Sequence, residues 1–184
     1  MKLVFRSLLF SASLPVLLAG PSAVAQDDDD DDDVPPMGLV ATVLDSASRY
    51  SDPSAAMEDG YVPLPSCVSG PEEGAMGVHF ANEALLADGA LDATQPELIV
   101  YEPQPNGEFK LIAVEYLVFA EDWDAANDAP PVLEGQHFHL IGEPNRLGLP
   151  AFYELHVWAF EENPHGMFVD WNPEVTCEHF DPAE

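Results

Sequence analysis

The chain reads as an α+β protein: an N-terminal helical segment packed on a mainly antiparallel sheet of about five strands, followed by a loop-rich C-terminal tail. Three observations predict this. Apolar residues recur at three- and four-residue spacing from Gly38 to about Asp59, and the period changes to two beyond residue 75. The strand-like segments are joined by connections rich in Pro, Gly and Asn. Short connections join antiparallel neighbours, because a parallel crossover takes a dozen residues or more.

In the helical segment, Leu39, Val43, Leu44, Ala47 and Tyr50 mark one face. Ser51-Asp52-Pro53 interrupts the pattern and caps a second short turn through Ala56 and Met57, with Pro53 at its first position and Gly60 as its stop. Tyr61 to Gly74, full of Pro, Ser and Gly, reads as an irregular loop carrying Cys67. Strands are expected at Met76–Phe80, Leu98–Glu102, Phe109–Phe119, Gln136–Ile141 and Ala151–Phe160, all rich in Val, Ile, Phe and Tyr. Pro105-Asn106-Gly107 is a hairpin turn signal, and Asn145-Arg146-Leu147-Gly148 plays the same part between the last two strands. From Asn163 to Pro182 turn chemistry dominates.

Ahead of this domain, residues 1–25 have the three parts of a secretory signal: basic Lys2 and Arg6, an apolar stretch from Leu8 to Ala19, and Ala23-Val24-Ala25. The stretch is too short for a spanning helix, which takes about 20 apolar residues. Export follows, to the periplasm or the exterior after cleavage near Ala25. Residues 26–37 form an acidic linker whose unbroken run Asp27 to Asp33 repels itself and is expected to be disordered. Residues 38–184 then make one domain.

The 184 residues carry a formal net charge of −29, and loss of the leader removes two of the five basic residues. Nucleic acid and anionic membranes are bound chiefly through Lys and Arg, so both are excluded as partners. No later segment is apolar enough for membrane insertion. Two cysteines remain, Cys67 and Cys177, and an oxidising compartment favours their disulfide.

Several stretches carry a resemblance. Met76-Gly77-Val78-His79, Tyr101-Glu102-Pro103-Gln104-Pro105, the run from Leu149 through Pro150-Ala151-Phe152-Tyr153-Glu154-Leu155-His156-Val157 to Trp158, and Trp171-Asn172-Pro173 are similar to a group of exported bacterial proteins of unassigned function. Arg49-Tyr50 and Asp59-Gly60-Tyr61 belong to the same likeness, which spans about residues 38 to 177. It implies secretion and a shared fold, and it brings no activity.

Chemistry is sought where strand alternation puts ionisable groups on apolar faces. In the last strand Tyr153, Leu155, Val157 and Ala159 form a core face, while Phe152, Glu154, His156, Trp158 and Phe160 form the other. His137 and His139 share a face of the preceding strand, and Glu115 shares one with Phe109, Leu111, Leu117 and Phe119. His79 lies beside Met76 and Phe80. A carboxylate on an apolar face needs a partner. His79, Glu115, His137, His139, Glu154 and His156 are therefore the candidate ligands of a divalent zinc, copper, iron or manganese ion. The same residues also suit a buried hydrogen-bond network.

The aromatic set Phe138, Phe152, Trp158, Phe160, Phe168 and Trp171 is a candidate pocket lining. No nucleophile elbow, phosphate loop or dinucleotide fingerprint is present, so no catalytic residue and no organic cofactor site is named. Two function classes follow. The default is an exported soluble envelope module that binds a small molecule or another protein. The alternative is a divalent-metal-binding domain, extending to a metalloenzyme.

Overall fold

Residues 38–181 are described by a computed structural model, and the leader, the Asp27–Asp33 run and the last three residues lie outside the described part. Two short helices open it, α1 (Leu39–Ala47) and α2 (Pro53–Glu58), separated by a 3-10 turn at Ser48–Ser51. α1 buries Leu39, Val40, Val43 and Ala47. Asp52 caps α2 by accepting from the Ser54 amide at 3.0 Å, with Pro53 at the first position as the spacing predicts.

Then come β1 (Tyr61–Gly70), β2 (Gly74–Asn82), α3 (Glu83–Asp88), β3 (Leu98–Pro103), β4 (Phe109–Phe119), α4 (Ala120–Ala126), β5 (Val132–Leu133), β6 (Gln136–His137), β7 (His139–Ile141) and β8 (Phe152–Val157). Six strands form one antiparallel sheet in the order β1-β2-β3-β4-β8-β7, and β5 and β6 pair separately. The α+β class and the antiparallel sheet are as the sequence predicts.

β1 occupies the stretch expected to be an irregular loop. Its two prolines, Pro63 and Pro65, are tolerated because β1 is an edge strand with one side unpaired, and the register breaks between Pro63 and Cys67. The helices α3 and α4, absent from the sequence reading, are each under eight residues. Asn82 caps α3, and Gly89 ends it in the left-handed conformation.

One sheet face carries the main core. Val78, Phe80, Tyr101, Leu111, Val114, Tyr116, Tyr153, Leu155 and Val157 pack there with Leu39, Val43, Ala47 and Tyr50 from the helical layer. Its tyrosines are amphipathic pins: Tyr101 donates to the Tyr50 carbonyl, Tyr61 to that of Pro96 and Tyr116 to that of Ala93, at 2.6–2.7 Å. Each ring adds apolar burial while its hydroxyl satisfies a loop carbonyl.

The opposite face follows from a β-bulge. Val100 faces Ala113 but Tyr101 faces Leu111, leaving Ile112 as the extra residue of β4. Beyond the bulge Ala113, Glu115, Leu117 and Phe119 point away from the main core, whereas Phe109 and Leu111 point into it. The expectation that Glu115 shares a face with Phe109 and Leu111 is corrected here: one inserted residue flips the alternation.

The C-terminal tail lies over that second face. Cys177 is bonded to Cys67 of β1, Asn172 bridges Ala75 through paired backbone hydrogen bonds of 3.1 Å, and Trp158 Nε1 donates to the Val169 carbonyl at 2.6 Å. Gly74, at φ +87°, permits this contact, since a Cβ there would stand 2.1 Å from the Asn172 carbonyl oxygen. Among the described residues no helix is long and apolar enough to cross a membrane.

Two measurements test this account. The bridge joins residues 110 apart, and closing a loop of that size restricts the unfolded chain by roughly 4–5 kcal/mol in the entropy model. Reduction, or Cys177→Ser, should lower the urea midpoint accordingly, and an unchanged midpoint would refute a stabilising bridge. The second concerns Glu97, which is buried and accepts from the Leu117 amide at 3.1 Å. Burial pushes its carboxyl up from 4.5 to about 8, against the opposing hydrogen bond from Leu117. The neutral acid is favoured by folding, so its contribution is full below 4.5 and is lost as pH rises through about 8. Glu97→Gln should make the decline of stability from pH 5 to pH 9 shallower, as read by denaturant titrations along that range.

Candidate metal centre

Glu115 stands directly opposite His156 across the β4–β8 pairing, and one pair further along Leu117 stands opposite Glu154. These residues point to the face away from the main core. His79 reaches them from β2, where the backbone approaches β3 closely: Gly77 has φ +116°, and a Cβ on it would lie 2.6 Å from the Tyr101 carbonyl oxygen. His79, Glu115, Glu154 and His156 are all buried, His156 completely.

Three ligand atoms converge. His79 Nε2 lies 3.2 Å from Glu115 Oε2 and 3.5 Å from His156 Nε2, and His156 Nε2 lies 3.7 Å from the same carboxylate oxygen. Ligands at 2.0–2.1 Å from a tetrahedral ion stand roughly 3.3–3.4 Å apart, so this triangle has the dimensions of one face of a coordination shell. Two imidazoles and one carboxylate are a donor set suited to zinc, iron or manganese.

A second shell surrounds the triangle. One oxygen each of Glu154 and Asp170 and a ring nitrogen of His156 lie within 4.8 Å of one another. His156 Nδ1 is buried without a hydrogen-bond partner. His156 also stacks on Trp158 at 6.2 Å between ring centres, which holds its plane.

The electrostatics follow from burial. His79 is pushed down to about 4 by desolvation, against the Glu154 carboxylate and a hydrogen bond to the Gly77 backbone. His156 is pushed well below 6.5 by desolvation and then by His79 and His139. Desolvation raises Glu115 and Glu154, which are hydrogen-bonded to each other, so one must hold a proton. Two imidazoles favoured neutral and two carboxyls pushed toward their protonated form are thus enclosed, with no buried Lys or Arg among the described residues.

The site opens into a pocket of about 190 Å³ to which His79, Glu115, Glu154 and Asp170 contribute. Leu98, Leu117, Ile141 and Phe152 make its apolar floor, and the segment 145–149 together with Trp171 makes its outer wall. From the expected aromatic lining, Phe152 and Trp171 are present. Phe138 and Trp158 are instead buried in core clusters, and Phe160 and Phe168 pack against the main core.

Of the six candidate ligands, four come together. His137 does not, because the expected strand 136–141 breaks at Phe138, whose amide bonds Pro131 and whose ring enters the main core. This leaves His137 exposed in the β5–β6 hairpin. His139 stays on the edge strand β7 opposite Glu154, with Nδ1 2.8 Å from Asp170 Oδ1, one step outside the triangle. Asp170 escaped the sequence reading because it sits in an aperiodic tail among many other acids.

No protein-family model, no curated protein and no solved structure matches the chain.

The burial of the histidines has a measurable consequence. Each is favoured neutral by folding, so its contribution is full above 6.5 and is lost as pH falls, toward about 4 for His79. Metal-free protein should lose up to about 1.4 kcal/mol per pH unit for each of the two across that window. His156→Gln should reduce the slope. Equal slopes in wild type and His156→Gln would show that His156 ionises freely.

Proposed function

We propose that this is an exported protein that binds one divalent transition-metal ion through His79, Glu115 and His156, with Glu154 alongside and an open coordination position facing a small apolar pocket. The observation that carries the reading is the triangle of two imidazole nitrogens and one carboxylate oxygen at 3.2–3.7 Å, delivered by three different strands of one sheet. The Cys67–Cys177 disulfide and the signal-like leader support export.

The two function classes drawn from the sequence meet at this place. A ligand in the pocket reaches the metal from its open side, so ligand binding and metal binding share one site. When bound, the ion polarises a ligand oxygen or acidifies a bound water. Glu154, held at a raised pKa by burial, is the neighbouring group able to give or take a proton.

The test uses untagged full-length protein stripped of metal, then titrated with zinc, manganese and iron(II). One ion per chain is expected by calorimetry and elemental analysis. His79→Ala, Glu115→Gln and His156→Ala should each weaken binding at least about 100-fold, since even outer-shell changes cost 10–100-fold. His137→Ala should bind as wild type does. Absence of stoichiometric uptake, or a folded His156→Ala protein with unchanged affinity, would sink the metal reading.

A further inference from the structure

The described residues contain three Lys or Arg side chains. Arg49 is paired with Asp59 and Lys110 with Glu161. Among the described residues Arg146 has no carboxylate partner, although acids outnumber bases 34 to 5 in this chain. It lies instead on the pocket that leads to the His79–Glu115–His156 triangle.

The side chain is held in place. Its Nη2 donates to the Ser69 carbonyl at 2.7 Å, and its guanidinium sits over the Trp171 ring at 5.0 Å. The backbone beneath it is fixed by Asn145, whose Oδ1 accepts from the Leu147 and Leu149 amides and whose Nδ2 donates to the Gly142 and Leu149 carbonyls. A guanidinium has five N–H donors, and the Ser69 carbonyl takes one. The remaining donors form a pre-positioned fork of the kind that binds a planar oxyanion in two-point fashion.

Leucines flank this fork. Leu64, Leu147 and Leu149 all line the pocket yet remain 42%, 49% and 38% exposed. Glu115, Glu154 and Asp170 line the same pocket, so an anionic head is directed to Arg146, and the apolar surface beside it matches a short apolar body. The pocket's 190 Å³ equals about six waters at liquid volume, which limits that body to a small one.

We infer that the pocket takes a small organic acid, its carboxylate on Arg146, its apolar body against Leu64, Leu147 and Leu149, and its far end toward the metal triangle. The placement of that far end rests on the metal reading; the anion site does not. Arg146 is then the residue that selects for acids over neutral compounds of the same shape.

Calorimetry with hexanoate, 1-hexanol and hexylammonium on the zinc-treated and the metal-stripped full chain tests this. Hexanoate is expected to bind at least tenfold more tightly than hexanol, and hexylammonium not measurably. Arg146→Gln should reduce hexanoate affinity at least tenfold without altering zinc uptake, and Arg146→Lys should recover part of it. Equal binding of hexanoate and hexanol, or an Arg146→Gln protein that binds hexanoate as wild type does, overturns the anion site and leaves the metal reading standing. Hexanoate binding that depends on Arg146 in a chain that takes up no metal upholds the anion site while the metal reading falls. A His156→Gln protein that loses zinc but keeps Arg146-dependent hexanoate binding likewise upholds it.

Discussion

The antiparallel pairing of β4 with β8 is the constraint on which the molecule depends. Val114, Tyr116 and Val118 of β4 stand opposite Val157, Leu155 and Tyr153 of β8 and supply the middle of the main core. Because side chains alternate, the same register places Glu115 against His156 and Leu117 against Glu154 on the reverse side. A slip of β8 by one residue would drive Glu154 and His156 into the apolar core and turn Tyr153, Leu155 and Val157 out of it. Core and candidate site are two sides of one pairing, so the site is as well specified as the hydrophobic packing.

Keeping that reverse side out of water requires a cover, and the tail provides it without regular structure. The disulfide, the Asn172–Ala75 bridge and the Trp158 hydrogen bond fasten it at three points. Asp170 and Trp171 are carried to the site by these attachments. The segment between β7 and β8 closes the remaining side, ordered by Asn145. The outcome is a polar cluster with apolar surroundings, where burial favours neutral histidines and protonated carboxyls.

Much of this was legible in advance. The period of three to four residues exposed the helical face, and the strict alternation of Phe152 to Val157 separated the main-core face from the face that carries Glu154 and His156. Pro53 after Asp52 marked a capped helix because its chemistry is local. Other features were illegible for physical reasons. The Ile112 bulge inverts the face of β4 with no change in residue type, and Phe138 splits the alternating stretch 136–141 by entering the core. β1 looked like a loop because its prolines disfavour a strand in general yet are harmless at an edge. Asp170 and Arg146 belong to aperiodic segments, so no spacing rule could associate them with His79.

By itself the sequence determined the α+β class, the antiparallel strands, the pairing options of two cysteines and the residue types available for chemistry. All of these rest on local propensity, periodicity or composition. Tertiary structure alone decided which histidines meet, since His79, Glu115 and His156 are far apart in the chain and are brought together only by sheet order and register. It also decided that Arg146, among the described residues, pairs with no carboxylate in so acidic a chain. Contacts between distant residues depend on how faces stack, and that information is spread over the whole fold.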